Sequence, residues 1–139
     1  MSEPPPFSPT VALLTVSRVW DAAFADALKP LGLTTRKYGL LGHIRGSAGI
    51  SFSELARRSR ITVQSAHTAV AAFVEAGLVE DATAHAGAAS TLRVTAAGES
   101  LLHRAADVVA DLDAQFAAQH PELTEALRAY MARITSTRP

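Results

Sequence analysis

The stretch spanning residues 53–77 constrains the fold more than any other part of the chain, because it has the pattern of two helices joined by a tight turn. It predicts a short first helix over residues 54–59, capped by the Ser53 hydroxyl. A second helix is expected after the cap residue Thr62, and Gly77 can end it in the left-handed region. A short helix, a turn and a second helix form the helix-turn-helix unit, in which the second helix enters the major groove of DNA.

The second predicted helix has an apolar face for the core and a polar face directed outwards. Apolar side chains recur at the three- and four-residue steps of an amphipathic helix from position 63 to position 73. The opposite face carries the candidate base-reading residues Gln64, Ser65, His67 and Thr68. Gln can pair with adenine through two hydrogen bonds, and Ser or Thr can pair with several base edges. No Lys or Arg lies between Ile61 and Ala76, so the strong Arg–guanine contact is not expected.

A β-hairpin is predicted immediately after this unit. Leu78 and Val79 open one strand, residues 91–95 form the returning strand, and small residues fill the long loop between them. A helix-turn-helix followed by such a hairpin is a winged helix. The candidate wing contacts are His85 at the tip and Arg93 on the returning strand. Residues 50–52 are a candidate third strand of the same sheet.

Long helices are predicted on both sides of the winged helix. The first begins at Pro9, with Ser8 as its cap, and runs to about Leu28. After the wing, the longest helix covers residues 96–119, and a last helix starts at Pro121.

These elements together predict a mainly α fold with a small β-wing, that is, a winged helix-turn-helix plus long N- and C-terminal dimerisation helices. The expected organisation is an extended arm over residues 1–8 and a winged helix-turn-helix DNA-binding lobe over residues 34–95. Residues 9–33 and 96–139 form the expected helical dimerisation region.

A heptad pattern on the longest helix provides the predicted dimer seam. Its apolar positions are Leu102, Ala105, Val109, Leu112 and Phe116. The apolar faces of the long helices exceed what one small winged lobe needs to cover, and DNA-reading proteins commonly pair to match two half-sites. The alternative is a helical layer that packs within a single chain.

Charge is distributed unevenly along the chain. Lys and Arg total 13, as do Asp and Glu, so the formal net charge is zero. Residues 34–104, however, carry eight basic and five acidic side chains, a difference of +3. The candidate phosphate contacts in this segment are Arg36, Lys37, Arg57, Arg58 and Arg60. Arg36 and Lys37 fall in the first turn of a predicted helix, where they oppose the helix dipole. Contact with phosphate would explain that position, and a solvated helix start is the alternative.

Composition excludes several classes. The chain has no cysteine, so disulfides and thiol-based redox sensing are excluded. No stretch approaches the length of a membrane span, so no membrane partner is expected. The Pro-rich N-terminus lacks the basic and apolar regions of a signal peptide. We therefore expect a soluble cytoplasmic protein.

Sequence signals for catalysis or cofactor binding are weak. A phosphate-cradling glycine loop and a Gly-x-Ser-x-Gly elbow are both missing, so neither an enzyme nor a cofactor is expected. Among five histidines, His103 lies one helical turn from Asp107, which is interpreted as an i,i+4 pair rather than a metal site. Trp20, Phe24 and Tyr38 are candidates for a pocket that binds a small aromatic effector, with ordinary core packing as the alternative.

The chain resembles the MarR (multiple antibiotic resistance regulator) family over nearly its whole length. The resemblance is carried by the order of LTTRKYGLL, a helix-turn-helix with ELA at 54–56 and GLV at 77–79, and LRVTAAGESLL at 92–102. It implies a homodimer built from the first and last helices and a recognition helix over about residues 63–76. It also implies that double-stranded DNA is a partner, that the wing lies along the minor groove, and, as in many members, that an effector pocket lies between the dimer helices and the lobe.

Three features depart from the family pattern and keep a second hypothesis open. Small residues at positions 86–88 replace the usual Asp-Arg-Arg wing tip, Asp81 stands where a basic residue is usual, and the recognition helix lacks Lys and Arg. The first hypothesis is a homodimeric DNA-binding transcriptional regulator that responds to a small-molecule effector. The second is a protein that keeps the fold, has lost most DNA binding and serves as a ligand-binding, partner-binding or small catalytic protein.

Overall fold

The computed structural model describes residues 2–81 and 91–136. The helices and strands follow one another as α1 (Pro9–Leu28), a 3-10 turn (Lys29–Leu31), α2 (Thr35–Gly46), α3 (Phe52–Ser59), α4 (Val63–Glu75), β1 (Val79–Glu80), β2 (Arg93–Val94), α5 (Ala96–Gln119) and α6 (Pro121–Ser136). The predicted fold class is confirmed, because helices dominate and β1 pairs with β2 in a small antiparallel sheet with Val79 opposite Val94.

Side-chain caps set most of the helix starts where the sequence predicts them. The Ser8 hydroxyl accepts the Val11 N–H at the start of α1, where Pro9 needs no hydrogen-bonded N–H. Thr34 caps α2 and Thr62 caps α4 in the same way. Gly77 has a φ of 76°, which is the left-handed conformation expected just beyond the end of α4.

The start of α3 differs from the prediction. The helix begins at Phe52, and its cap is the Ser51 hydroxyl, which accepts the Glu54 N–H at 3.0 Å. Ser53 therefore lies in the first turn, and the prediction that it caps the helix is wrong. The predicted strand over residues 50–52 is wrong for the same reason. This segment does approach the wing, since the Gly49 N–H donates to the Leu92 carbonyl at 2.8 Å.

The core lies between α2, α3, α4, the base of the wing and the first half of α5. Its fully buried side chains include Leu28, Leu40, Leu41, Ile44, Leu55, Val79 and Leu92. Leu101, Leu102 and Ala105 of α5 complete this cluster. The start of the longest helix thus belongs to the lobe, and only its later turns extend away from it towards α1 and α6.

The junction between the wing and α5 is tight. The Thr95 hydroxyl donates to the Gly77 carbonyl at 2.6 Å and accepts the Gly98 N–H at 3.1 Å. A Cβ at Gly98 would collide with the Leu78 carbonyl oxygen and would lie 2.5 Å from Cγ1 of Val94. Glycine is therefore required here by close approach, and the junction fixes α5 rigidly against the end of α4 and the wing. Across residues 2–81 and 91–136, no helix has the combined length and apolarity needed to cross a membrane.

Candidate nucleic-acid interface and neighbouring crevices

The face of α4 opposite the core carries two of the four predicted base-reading residues. Ala66, Val70 and Phe73 are buried, so helical geometry directs Gln64 and Thr68 outwards, and both are exposed. The Thr68 hydroxyl donates to the Gln64 carbonyl at 3.0 Å, which leaves its oxygen free to accept a further hydrogen bond.

Ser65 and His67 lie on the two flanks of that face. Ser65 is half-buried, and its oxygen accepts the hydroxyl of the cap residue Thr62 at 2.9 Å. The His67 imidazole is stacked on Phe52, with ring centroids 3.8 Å apart and an interplanar angle of 14°. Sequence reasoning missed Phe52, because nothing local indicates that the first residue of α3 supports a side chain of α4. The stack holds the imidazole edge in one orientation on the rim of the outer face.

The two arginines at the end of α3 share one carboxylate. Arg57 donates to Glu54 through Nε at 2.9 Å, and Arg58 donates through its own Nε at 2.8 Å. These hydrogen bonds, from Arg57 first and Arg58 second, lower the pKa of Glu54 to about 2. Arg58 also donates to the Ser47 hydroxyl at 3.0 Å. The i,i+3 and i,i+4 spacing of the three residues was a signal for this cluster that sequence reasoning overlooked.

Glu54 therefore offsets part of the positive charge that the sequence assigned to phosphate binding. Arg57 keeps 72% of its side-chain surface exposed and Arg58 keeps 38%. Both can still present N–H groups outwards, because a guanidinium has five donors and the carboxylate engages only some of them. The cluster supplies one net positive charge from three ionised groups.

Arg60 occupies a strained position between α3 and α4. Its φ is 55°, and it has the only positive φ among the described residues other than glycine. Its N–H donates to the carbonyls of Ala56 and Arg57 and so ends α3. A left-handed conformation costs a residue with a Cβ about 1 kcal/mol relative to glycine.

Arg36 and Lys37 are exposed in the first turn of α2.

The two wing candidates have different outcomes. Arg93 is exposed on β2, directly across the sheet from Glu80. His85 and the loop at positions 86–88 lie outside the residues that the structure describes.

The predicted dimer seam divides into two parts. Leu102 and Ala105 are 4% and 0% exposed within a single chain, so they have no surface to offer a partner. Their assignment to the seam is wrong, since the heptad pattern records burial without specifying which element provides it. Val109, Leu112 and Phe116 are half-buried against α1, where the Phe116 ring meets Trp20 edge-on at 4.8 Å.

Large apolar side chains are exposed instead on α1, α6 and the arm. On α6 and at the start of the chain these are Leu123, Leu127, Tyr130, Met131 and Ile134, together with Phe7, Val11, Leu13, Leu14, Val16 and Val19. No residue of α6 is buried, and Leu28 is the only buried residue of α1. Exposed apolar side chains in such number are typical of an interaction surface.

The three aromatic residues predicted to form one pocket face two separate crevices. Trp20 and Phe24 line a crevice of about 280 Å³ between α1 and α5, here named the α1–α5 crevice. Tyr38 lines a crevice of about 600 Å³ between α2 and α5, here named the α2–α5 crevice. The rings of Phe24 and Tyr38 meet edge-on at 5.4 Å and so stand at the boundary between the two.

The α2–α5 crevice has a guanidinium, that of Arg45, in its wall. His43 and Arg45 lie beside Tyr38, while Leu102 and Ala106 form the apolar side on α5. Arg45 forms an ion pair with Glu99, with 3.1 Å between Nε and Oε2, and both side chains are partly exposed. Within residues 2–81 and 91–136, His, Asp and Glu nowhere gather in a group of three that would hold a metal ion.

Comparison with known proteins gives consistent matches. A model of the MarR family matches residues 31–89. The HTH-type transcriptional repressor Rv2887 of Mycobacterium tuberculosis is 34% identical over 108 residues, which are 77% of this chain and 78% of the relative.

Solved structures extend the similarity to the whole fold. The M. tuberculosis MarR family protein Rv2887 in complex with salicylic acid is 31% identical, with a TM-score of 0.72 over 91% of this chain and 96% of that chain. Its complex with DNA is 29% identical, with a TM-score of 0.76 over 91% and 98% of the two chains. A mutant MarR from E. coli shares the fold, with a TM-score of 0.77 at 18% identity over 95% and 98%.

Proposed function

Because the chain belongs to the MarR family, we propose that it is a homodimeric DNA-binding transcriptional regulator that responds to a small-molecule effector. The observation that carries this proposal is the exposed polar face of α4, with Gln64 and Thr68 directed away from a complete apolar core. A helix presented in this way by a winged lobe fits the major groove. The structure of the relative Rv2887 with DNA supports the same mode of action.

In the proposed complex, bases and phosphates are contacted by different elements. Gln64 and Thr68 read base edges, with Ser65 and the stacked His67 on the flanks. Arg60 and the pair Arg57 and Arg58 contact phosphate on one side, and Arg36 and Lys37 contact it from α2. Arg93 contributes from the wing. Glu54 offsets part of the charge of Arg57 and Arg58. The salt dependence of DNA binding should therefore be weaker than is usual for a winged-helix protein.

The proposed dimer is formed by α1 and α6. Their exposed apolar side chains provide a surface that a second copy of the chain covers. In this proposal, dimerisation is the role of residues 9–33 and 96–139, and DNA binding is the role of residues 34–95. The first turns of α5 also complete the core of the lobe. A two-fold dimer presents two copies of α4 to two half-sites.

The α2–α5 crevice is the proposed effector site. Tyr38 offers an aromatic wall, and Arg45 offers guanidinium N–H donors beyond the one that engages Glu99, which suits a small aromatic carboxylate. The salicylic acid complex of the relative Rv2887 supports this ligand class. Arg45→Met keeps most of the side-chain volume and removes the charge, so it should weaken salicylate binding about tenfold by isothermal titration calorimetry.

A specific observation favours a second candidate function. α4 has no Lys or Arg, and Glu54 engages Arg57 and Arg58, two of the proposed phosphate contacts. These features favour a dimer that has kept the fold as a scaffold for a ligand or protein partner. The two candidates differ in whether specific DNA binding occurs.

Fluorescence anisotropy separates them. The purified protein is titrated against labelled DNA from its own upstream region and against a scrambled duplex, at low and moderate salt. Regulation predicts specific binding that survives moderate salt and weakens when salicylate is added. Equal, weak binding to both duplexes would support the scaffold instead.

A further inference from the structure

The α1–α5 crevice is a second cavity with a character unlike that of the proposed effector site. Its walls are the rings of Trp20, Phe24 and Phe116, with Val109 and Leu112 between them. The Trp20 and Phe116 rings are 4.8 Å apart at 73°, and the His120 ring packs near both, 5.3 Å from Phe116 and 6.1 Å from Trp20. The rings and aliphatic side chains give the crevice an apolar lining, which suits the aromatic part of a small ligand.

Two carboxylates stand at the opening of this apolar crevice. Asp21 of α1 and Asp113 of α5 line it together, from opposite sides. Over residues 2–81 and 91–136, no basic side chain forms an ion pair with either of them. The α2–α5 crevice differs, because no carboxylate of the described residues lines it and Arg45, the partner of Glu99, stands in its wall. The two crevices therefore differ in the charged groups that line them, although the Phe24 and Tyr38 rings touch between them.

We propose that the α1–α5 crevice is a binding site for a small hydrophobic cation, such as an arylalkylamine. The aromatic part would lie against Trp20 and Phe116, and the ammonium group would lie between Asp21 and Asp113. Ring faces carry a partial negative charge that attracts a cation, and two carboxylates add a longer-range attraction. The same groups repel an aromatic carboxylate, so the crevice and the proposed effector site select opposite ligand classes.

The location of the crevice gives such a ligand a route to the DNA-binding lobe. Phe24 lines the crevice, and its ring contacts Tyr38 of α2, the helix that carries Arg36 and Lys37. Any effect on DNA affinity through this route rests on the proposed regulatory function. Ligand binding itself does not depend on it and is measured separately.

Trp20 is the single tryptophan of the chain, so its fluorescence reports directly on this crevice. Three probes with the same phenyl ring are titrated into the full-length protein: phenethylammonium, neutral 2-phenylethanol and anionic phenylacetate. We expect a saturable change in Trp20 emission with phenethylammonium, about tenfold weaker binding of the alcohol, and no saturable response to phenylacetate.

Charge-removing variants identify the carboxylates responsible. Asp21→Asn and Asp113→Asn should each weaken phenethylammonium binding several-fold and leave the alcohol unchanged. Asp111→Asn is the matched control, because Asp111 is exposed on the opposite face of α5 and should change neither. Circular dichroism confirms that each variant is folded.

Two results would overturn the proposal. One is a lack of saturable binding of phenethylammonium, and the other is equal binding of the cation and the alcohol that the Asn variants do not alter. DNA anisotropy on the same samples keeps the two proposals apart. Specific DNA binding without cation binding removes only the crevice proposal, and cation binding without specific DNA binding removes only the proposed regulatory function.

Discussion

The winged lobe and the helices beside it satisfy their apolar side chains in different ways. α2 buries Leu40, Leu41 and Ile44 in its 12 residues, whereas α6 buries none in 16. The core of the lobe is closed with the help of Leu28 from α1 and the first turns of α5, around a wing junction that admits no Cβ at Gly98. α1 and α6 leave apolar side chains exposed, and in the proposed dimer a second chain covers them. The lobe, together with the end of α1 and the first turns of α5, therefore has a closed core, while the exposed faces of α1 and α6 would be covered in the proposed dimer.

The largest expected effect on the lobe comes from Gly98→Ala. The added methyl group collides with the Leu78 carbonyl and the Val94 side chain, so part of the junction must move. We expect the free energy of unfolding to fall by about 3 kcal/mol in urea denaturation. Gly42→Ala is the control, since a Cβ there meets no atom within 4 Å and helix propensity should raise stability slightly. Similar behaviour of the two variants would show that the junction adapts.

The corresponding change in the helices is Leu127→Asp. It introduces a charge into the exposed apolar face of α6 and should weaken dimerisation by about 3 kcal/mol, or roughly a hundredfold in dissociation constant. Analytical ultracentrifugation should show monomers with unchanged helix content. Ala129→Asp places the same charge on the opposite face of α6 and should remain dimeric. Dimers in both variants would locate the interface elsewhere.

A smaller effect is expected at Arg60, because its left-handed backbone conformation lowers the stability of the fold. Arg60→Gly relieves the left-handed strain and should raise the free energy of unfolding by about 1 kcal/mol. It also removes a proposed phosphate contact, so the slope of log affinity against log salt should become shallower by about 0.9. Arg60→Lys keeps the charge and should keep the slope. Gains in both stability and DNA affinity with Arg60→Gly would exclude a phosphate role for this residue.

The smallest effect is expected at Glu54. Glu54→Gln releases Arg57 and Arg58 from an ionised partner, so DNA affinity should rise a few-fold and the salt slope should steepen by up to about one. Its pKa is lowered from 4.5 to about 2, so its stabilising ion pairs are fully present above pH 4.5 and are lost only as the pH falls through about 2. The charge on Glu54 therefore does not change near neutral pH. Unchanged affinity in Glu54→Gln would mean that the arginines do not contact phosphate.

The sequence predicts local features of the fold better than it predicts contacts between distant elements. Caps and apolar periodicity are local, so the bounds of α1, α4 and α5 follow from Ser8, Thr62 and Thr95. The predicted start of α3 is wrong because both Ser51 and Ser53 suit a helix cap. The structure has Ser51 as the cap, and Phe52, the first residue of the helix, stacks on the distant His67.

Properties that depend on how helices cross were not predictable from the pattern. The heptads of α5 indicated a buried face, but only the fold shows that Leu102 and Ala105 are covered by the lobe of the same chain. Likewise, the sequence predicted one pocket for Trp20 and Tyr38, and the crossing of α1, α2 and α5 divides them between two crevices lined by different charged groups. The base-reading and phosphate assignments at the interface remain predictions.

Selection of duplexes from a random DNA pool, followed by sequencing, tests most directly the claim that two winged lobes, paired in a dimer, read DNA. Two copies of α4 related by a two-fold axis should enrich an inverted repeat, with half-sites centred about 10 base pairs apart or a multiple of that spacing. Leu127→Asp should lose the repeat. No enriched sequence, or a single half-site enriched equally by both proteins, would contradict the account.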